Sequence, residues 1–97
     1  MNNSAKIALV TGGSRGLGRA TVEALAQRGV NVVLTYNAHF AEANEVVARV
    51  EAQGSRAIAL PFSAGETDTF DGFVSAFQEA LTALGADRFH YLVNNAG

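Results

Sequence analysis

The sequence predicts an α/β protein built on a doubly wound parallel sheet, and three observations carry that prediction. Short, unbroken apolar runs alternate with helical periods along the chain, the connections between them are brief, and a glycine cluster directly follows the first apolar run. Alternation of strand and helix at this spacing implies right-handed crossovers and a parallel sheet. Ligands of such sheets bind in the crevice beyond the carboxyl ends of the strands, where that glycine cluster falls.

Each element has its own reason. Lys6 to Val10, "KIALV", is a short β-branched apolar run, expected as a strand buried on both faces. Gly16 to Arg28 places Leu17, Ala20, Ala24 and Leu25 on one expected helical face, and Gly29 stops the helix. Val30 to Tyr36, "VNVVLTY", is a second buried strand. The helical period then returns through Phe40, Ala43, Val46, Val47 and Val50 and ends at Gly54. Arg56 to Phe62 is a third strand, with Pro61, the only proline, at its end, where a missing donor does least harm. After the loop "SAGETD", Phe70, Phe73, Val74, Phe77, Leu81 and Leu84 mark a third amphipathic helix stopped by Gly85. "RFHYLVNNAG" closes the series as a fourth strand, with His90 inside it as a packing or edge residue. The expected strand order is 3-2-1-4, with the first two helices on one sheet face and the third on the other.

Composition bounds the function. The chain has 97 residues, 48% apolar and 16% charged, which suits one globular domain. A net charge of -2 with six dispersed arginines and one lysine leaves no basic patch, so nucleic acid is not an expected partner. The absence of cysteine excludes disulfides and thiolate metal sites. No apolar run approaches the roughly 20 residues that cross a bilayer, and "MNNSAK" has no signal-peptide pattern, so a cytoplasmic protein without membrane partners is expected.

The glycines call for a ligand. One glycine would make a tight strand-to-helix turn, yet "TGGSRGLG" contains Gly12, Gly13, Gly16 and Gly18. Glycines let backbone N–H groups approach a ligand, and the helix N-terminus behind them favours phosphate oxygens. A mononucleotide loop requires Gly-x-x-x-x-Gly-Lys-Ser/Thr, and here Arg19 and Ala20 follow Gly18 instead. The Gly-x-Gly-x-x-Gly fingerprint is also absent; what stands is Thr11-Gly12-x-x-x-Gly16-x-Gly18.

That pattern resembles the signature of the short-chain dehydrogenases/reductases, and "NNAG", Asn94 to Gly97, resembles the family's second signature at the close of its fourth strand. The resemblance runs the length of the chain, and "KIALVTGGSRGLGRA" and "LVNNAG" look most like the 3-oxoacyl-carrier-protein reductase branch. It implies a Rossmann-type fold in which residues 1–97 are the dinucleotide-binding half. It further implies that the backbone around Gly12, Ser14, Arg15, Gly16, Leu17 and Gly18 cradles the pyrophosphate. On the same likeness Tyr36 and Asn37 read the adenine ribose, Ser63 and Ala64 hold the adenine ring, and Asn94, Ala96 and Gly97 line the nicotinamide-side path. Ser63 departs from the acid usual in the family, which weakens the contact to the exocyclic amine. Asn94 and Asn95 also suit turn chemistry and sheet capping, which is compatible with binding.

Cofactor choice can be read from the residues themselves. A carboxylate about 20 residues beyond the glycines bonds a ribose 2′-hydroxyl, whereas a nearby arginine suits a 2′-phosphate. Tyr36, Asn37, Ala38 and His39 supply no acid before Glu42, and Arg15 lies in the glycine loop, so NADP(H) is expected over NAD(H). His39 is read as a solvated loop residue with at most an auxiliary donor role.

The family's reaction on carbonyl or alcohol substrates resembles proton transfer by a Tyr-x-x-x-Lys pair assisted by a serine. That pair is not present: Tyr36 is followed four residues on by Phe40, Tyr91 by Asn95, and Lys6 precedes both. No catalytic residue or metal site is therefore expected in the chain, whose parent is expected to be the enzyme. The alternative is a stand-alone module that binds nucleotide or a partner subunit. A fourth strand at the sheet edge also leads to an expected homo-oligomer joined near Phe89 to Asn95.

Overall fold

The computed structural model describes residues 6–13, 16–62, 70–86 and 88–94. Its elements run β1 (Ile7–Thr11), α1 (Gly16–Gln27), β2 (Asn31–Tyr36), α2 (Phe40–Ala52), β3 (Ala57–Pro61), α3 (Phe70–Ala83) and β4 (Tyr91–Asn94). The four strands form one sheet in the order β3-β2-β1-β4, every pairing parallel, as the sequence predicts.

Burial explains the order. β1 and β2 lie at the centre, and Ile7 to Val10 and Val32 to Thr35 are all buried, which is why these runs are apolar without alternation. Ala8, Val10, Val32 and Leu34 face α1 and α2, forming one core with Val22, Ala26, Ala43, Val46 and Val50. Ile7, Leu9 and Val33 face the other way and pack with Ala80, Leu81 and Leu84 of the α3 segment, alongside Phe73 and Phe77. The two-and-one arrangement of helices about the sheet is thus the expected one. At Gly29 (φ +81°) the chain leaves α1, and Val30 N–H donates to the Leu25 carbonyl at 3.1 Å.

Two readings need correction. The face of α1 that meets the sheet is Gly18, Val22 and Ala26, with Leu25 half-buried; Leu17, Ala20 and Ala24 form a second stripe that faces solvent. Both stripes satisfy the helical period, and the smaller residues are buried because α1 packs closely over the β1 turn. His90 lies just before β4 rather than within it. Its N–H donates to the Ile7 carbonyl at 2.8 Å, and its Nδ1 accepts from Ile7 N–H at 3.1 Å, so it brackets the start of β1.

An ion-pair network joins α1 to α2 on the outside. Glu23 Oε2 accepts from Arg19 Nε at 3.2 Å and Arg49 Nε at 2.9 Å, and Arg19 also reaches Glu45 at 3.3 Å. Partial burial pushes the Glu23 carboxyl upward, but the hydrogen bonds from Arg19 and Arg49 and their charges outweigh it, leaving the carboxyl below its usual range. A depressed folded value means the contribution is complete above the unfolded value, about 4.3 for glutamate, and is lost as pH falls through the folded one. Wild type should therefore melt above a Glu23→Gln variant at neutral pH, with the gap closing under acid. Melting curves across that range test this; a gap independent of pH would disprove it.

Candidate functional site: the glycine turn at the carboxyl edge

The parallel sheet brings the ends of β1, β2 and β4 to one edge, with Thr11 in register with Asn94. Directly after Thr11 the chain turns at Gly12, whose φ of +66° favours glycine, and enters α1 at Gly16, φ +58°. The turn is held from two sides. Thr35, buried at the end of β2, accepts Gly12 N–H on its hydroxyl oxygen and Gly13 N–H on its carbonyl, both at 3.0 Å. On the other side the first turn of α1 presses against Gly12: a Cβ on Gly18 would stand 2.0 Å from the Gly12 carbonyl oxygen. Across the sheet the Thr11 hydroxyl donates to Asn94 Oδ1 at 3.0 Å, tying the end of β1 to β4.

A Cβ built at Gly16 meets no atom within 4 Å, so the start of α1 is open at that position. The opening N–H groups of any α-helix lack partners within the helix and carry partial positive charge. Tyr36 ends β2 with its ring 5.8 Å from that of Phe40, and exposed Asn37 follows it. The first carboxylate beyond β2, Glu42, lies within α2 with Oε1 3.2 Å from His39 Nδ1. Gly12, Gly16, Leu17, Gly18, Tyr36, Asn37 and Asn94 are thus positioned at the carboxyl edge. Ser14, Arg15, Ser63, Ala64, Ala96 and Gly97 lie outside the described residues.

The model of the family described as short chain dehydrogenase matches residues 6–97. The chain belongs to that family. It is 39% identical over 94 residues to the 3-oxoacyl-[acyl-carrier-protein] reductase of Synechocystis sp., covering 97% of this chain and 36% of the relative. With the L-rhamnose 1-dehydrogenase (NADP(+)) of Thermoplasma acidophilum it shares 36% identity over 92 residues, 95% of this chain and 34% of that one. The crystal structure of acetoin dehydrogenase from Enterobacter cloacae superposes with a TM-score of 0.82 at 32% identity, covering 99% of this chain and 36% of that one. The chain therefore spans about a third of the length of these short-chain relatives.

Two structural features of this short-chain site escape a reading by glycine spacing. Thr35 is the polar residue that ends an otherwise apolar run, "VVL", and only its position signals the bond to the turn. Gly12 has its N–H committed to Thr35, so its place in the turn rests on shape and φ rather than on a spare donor. Among the described residues no cluster of three or more metal-binding side chains occurs. No described helix is long and apolar enough to cross a membrane.

Proposed function

We propose that residues 1–97 form the dinucleotide-binding half of an NADP(H)-dependent short-chain oxidoreductase acting on a carbonyl or alcohol substrate. One observation carries this reading: the glycine turn after β1 leaves Gly16 open at the carboxyl edge, and the end of β2 at the same edge supplies Tyr36 and Asn37, with no carboxylate before Glu42 of α2. The shape suits a pyrophosphate, and the side chains suit a ribose carrying a 2′-phosphate better than one carrying a free hydroxyl. The relative from Thermoplasma acidophilum carries NADP(+) in its name, which agrees.

In this reading the backbone of Gly12, Ser14, Arg15, Gly16, Leu17 and Gly18 encloses the pyrophosphate. Arg15 and Asn37 meet the 2′-phosphate, Tyr36 borders the adenine ribose, and Ser63 and Ala64 flank the adenine. Asn94, Ala96 and Gly97 border the nicotinamide side. The cofactor, when bound, supplies or accepts the hydride. The chain's own residues bind and orient it, and with no Tyr-x-x-x-Lys pair in the sequence the chain by itself performs no carbonyl reduction.

Arg15→Ala tests the assignment. A hydrogen bond to a charged group contributes about 1.5–3 kcal/mol, so NADPH affinity should fall by about one to two decades while NADH affinity barely changes. Titration followed by nucleotide fluorescence measures both. Equal losses for the two would restrict Arg15 to the shared pyrophosphate, and absence of binding by wild type would remove the reading. We further propose self-association through the outer edge of β4, where Phe89, Tyr91 and Leu92 are exposed.

A further inference from the structure

We propose that Thr35 is a positioning residue for the dinucleotide site: its hydroxyl fixes the Gly12 peptide and thereby the opening in which the pyrophosphate is held. This rests on the nucleotide-binding reading above. Gly12 is held at both its N–H and its carbonyl. Its N–H is bonded to Thr35 Oγ1 at 3.0 Å, and its carbonyl oxygen lies under Gly18 at a distance that admits no side chain there. Gly12 is thus wedged between the end of β2 and the start of α1. The neighbouring Gly13 N–H is tied to the same residue, but through the Thr35 backbone carbonyl, a bond that any side chain at position 35 preserves.

Thr35 is 3% exposed and follows three apolar, buried residues, Val32, Val33 and Leu34. A hydroxyl in such a place is disfavoured unless it is bonded. Valine has nearly the same shape and a higher strand preference, so packing alone gives threonine no advantage here. What threonine adds is a side-chain acceptor aimed at Gly12 N–H. Without it, Gly12 N–H is left without this acceptor and the Thr11–Gly12 peptide loses its tether, at a residue whose φ of +66° is one of several open to glycine. Binding then has to order the turn again, which weakens affinity without touching any group that contacts the nucleotide.

The test compares Thr35→Val and Thr35→Ser in the full chain. Thr35→Val should weaken NADPH and NADH binding alike, about tenfold, the factor that ~1.4 kcal/mol represents. Thr35→Ser, which keeps the acceptor, should stay within about twofold of wild type by the same conversion. Equal loss for both cofactors separates this from Arg15, whose substitution should discriminate between them. In an assembled enzyme the loss should appear in KM for the cofactor and not in kcat.

Amide exchange supplies a readout without cofactor: in Thr35→Val, Gly12 N–H should exchange faster while Gly13 N–H keeps its protection. Global destabilisation would accelerate both. Unchanged Gly12 exchange in Thr35→Val, wild-type affinity in that variant, or a serine variant as weak as the valine one would each overturn the proposal. If wild type binds neither nucleotide, the functional reading fails and the exchange pattern still decides the role of Thr35. Should Thr35→Val fail to fold, rapid exchange of Gly12 N–H in folded wild type would overturn it equally.

Discussion

Gly18→Ala is expected to destabilise the chain by about 3 kcal/mol, the upper part of the usual range for overpacking, and so to lower its melting temperature by roughly 12–24 °C for a domain of this size. The added Cβ would stand 2.0 Å from the Gly12 carbonyl oxygen, 2.9 Å from its carbon and 3.1 Å from Gly13 Cα. All three are backbone atoms, so no rotamer change relieves the clash. Either α1 lifts from the sheet or the turn moves, and the turn is pinned by Thr35. A shift of α1 would also open the contact of Val22 and Ala26 with the strands beneath. Gly16→Ala is the matched comparison, because position 16 has open space and only a left-handed φ of +58°. Its loss should be confined to the left-handed penalty, about 1–2 kcal/mol. Circular dichroism melting of both variants decides the matter: equal shifts would show that the Gly12 turn yields to the added Cβ and that close approach does not require a glycine at position 18.

That contrast also marks how far the sequence could be read. Strand order, helix placement and the position of the glycine turn follow from the alternation of apolar runs and from where Gly29, Gly54 and Gly85 interrupt it. Those features depend on period and on stop signals, which a sequence displays directly. The face of α1 does not. Leu17, Ala20 and Ala24 make as good a helical stripe as Gly18, Val22 and Ala26, and a ranking by side-chain size picks the one that faces solvent. The buried stripe is chosen by how near the helix comes to the Gly12 peptide, a tertiary distance with no local signal. Thr35 was hidden for a related reason: a threonine suits any strand, and its bond to Gly12 spans 23 positions. His90 likewise reads as part of the last apolar run until its two bonds to Ile7 place it outside β4.

Leu34→Ala should be the other severe substitution, losing about 3 kcal/mol within the 2–5 kcal/mol range of buried leucine truncations. Leu34 is 0% exposed in β2, bonded on both sides by β1 and β3, and it belongs to the core under α1 and α2. Its Cβ also lies directly beneath Gly13, 2.8 Å from where a side chain there would begin. With strands on either flank and helices above, little can collapse into the space, so the cavity cost adds to the lost transfer energy. Leu92 is the same residue type on the edge strand, and it is 59% exposed. In dilute solution Leu92→Ala should melt within about 0.5 kcal/mol of wild type, as surface changes do. Raising the protein concentration separates burial by folding from burial by assembly. If β4 edges meet between copies, wild type and Leu34→Ala should both melt higher as concentration increases. Leu92→Ala should lose that rise, because it removes exposed apolar surface beside the pairing edge. A wild-type melting temperature independent of concentration would overturn the association. A Leu92→Ala variant as unstable as Leu34→Ala at the lowest concentration would instead mean that folding, not assembly, buries the outer strand.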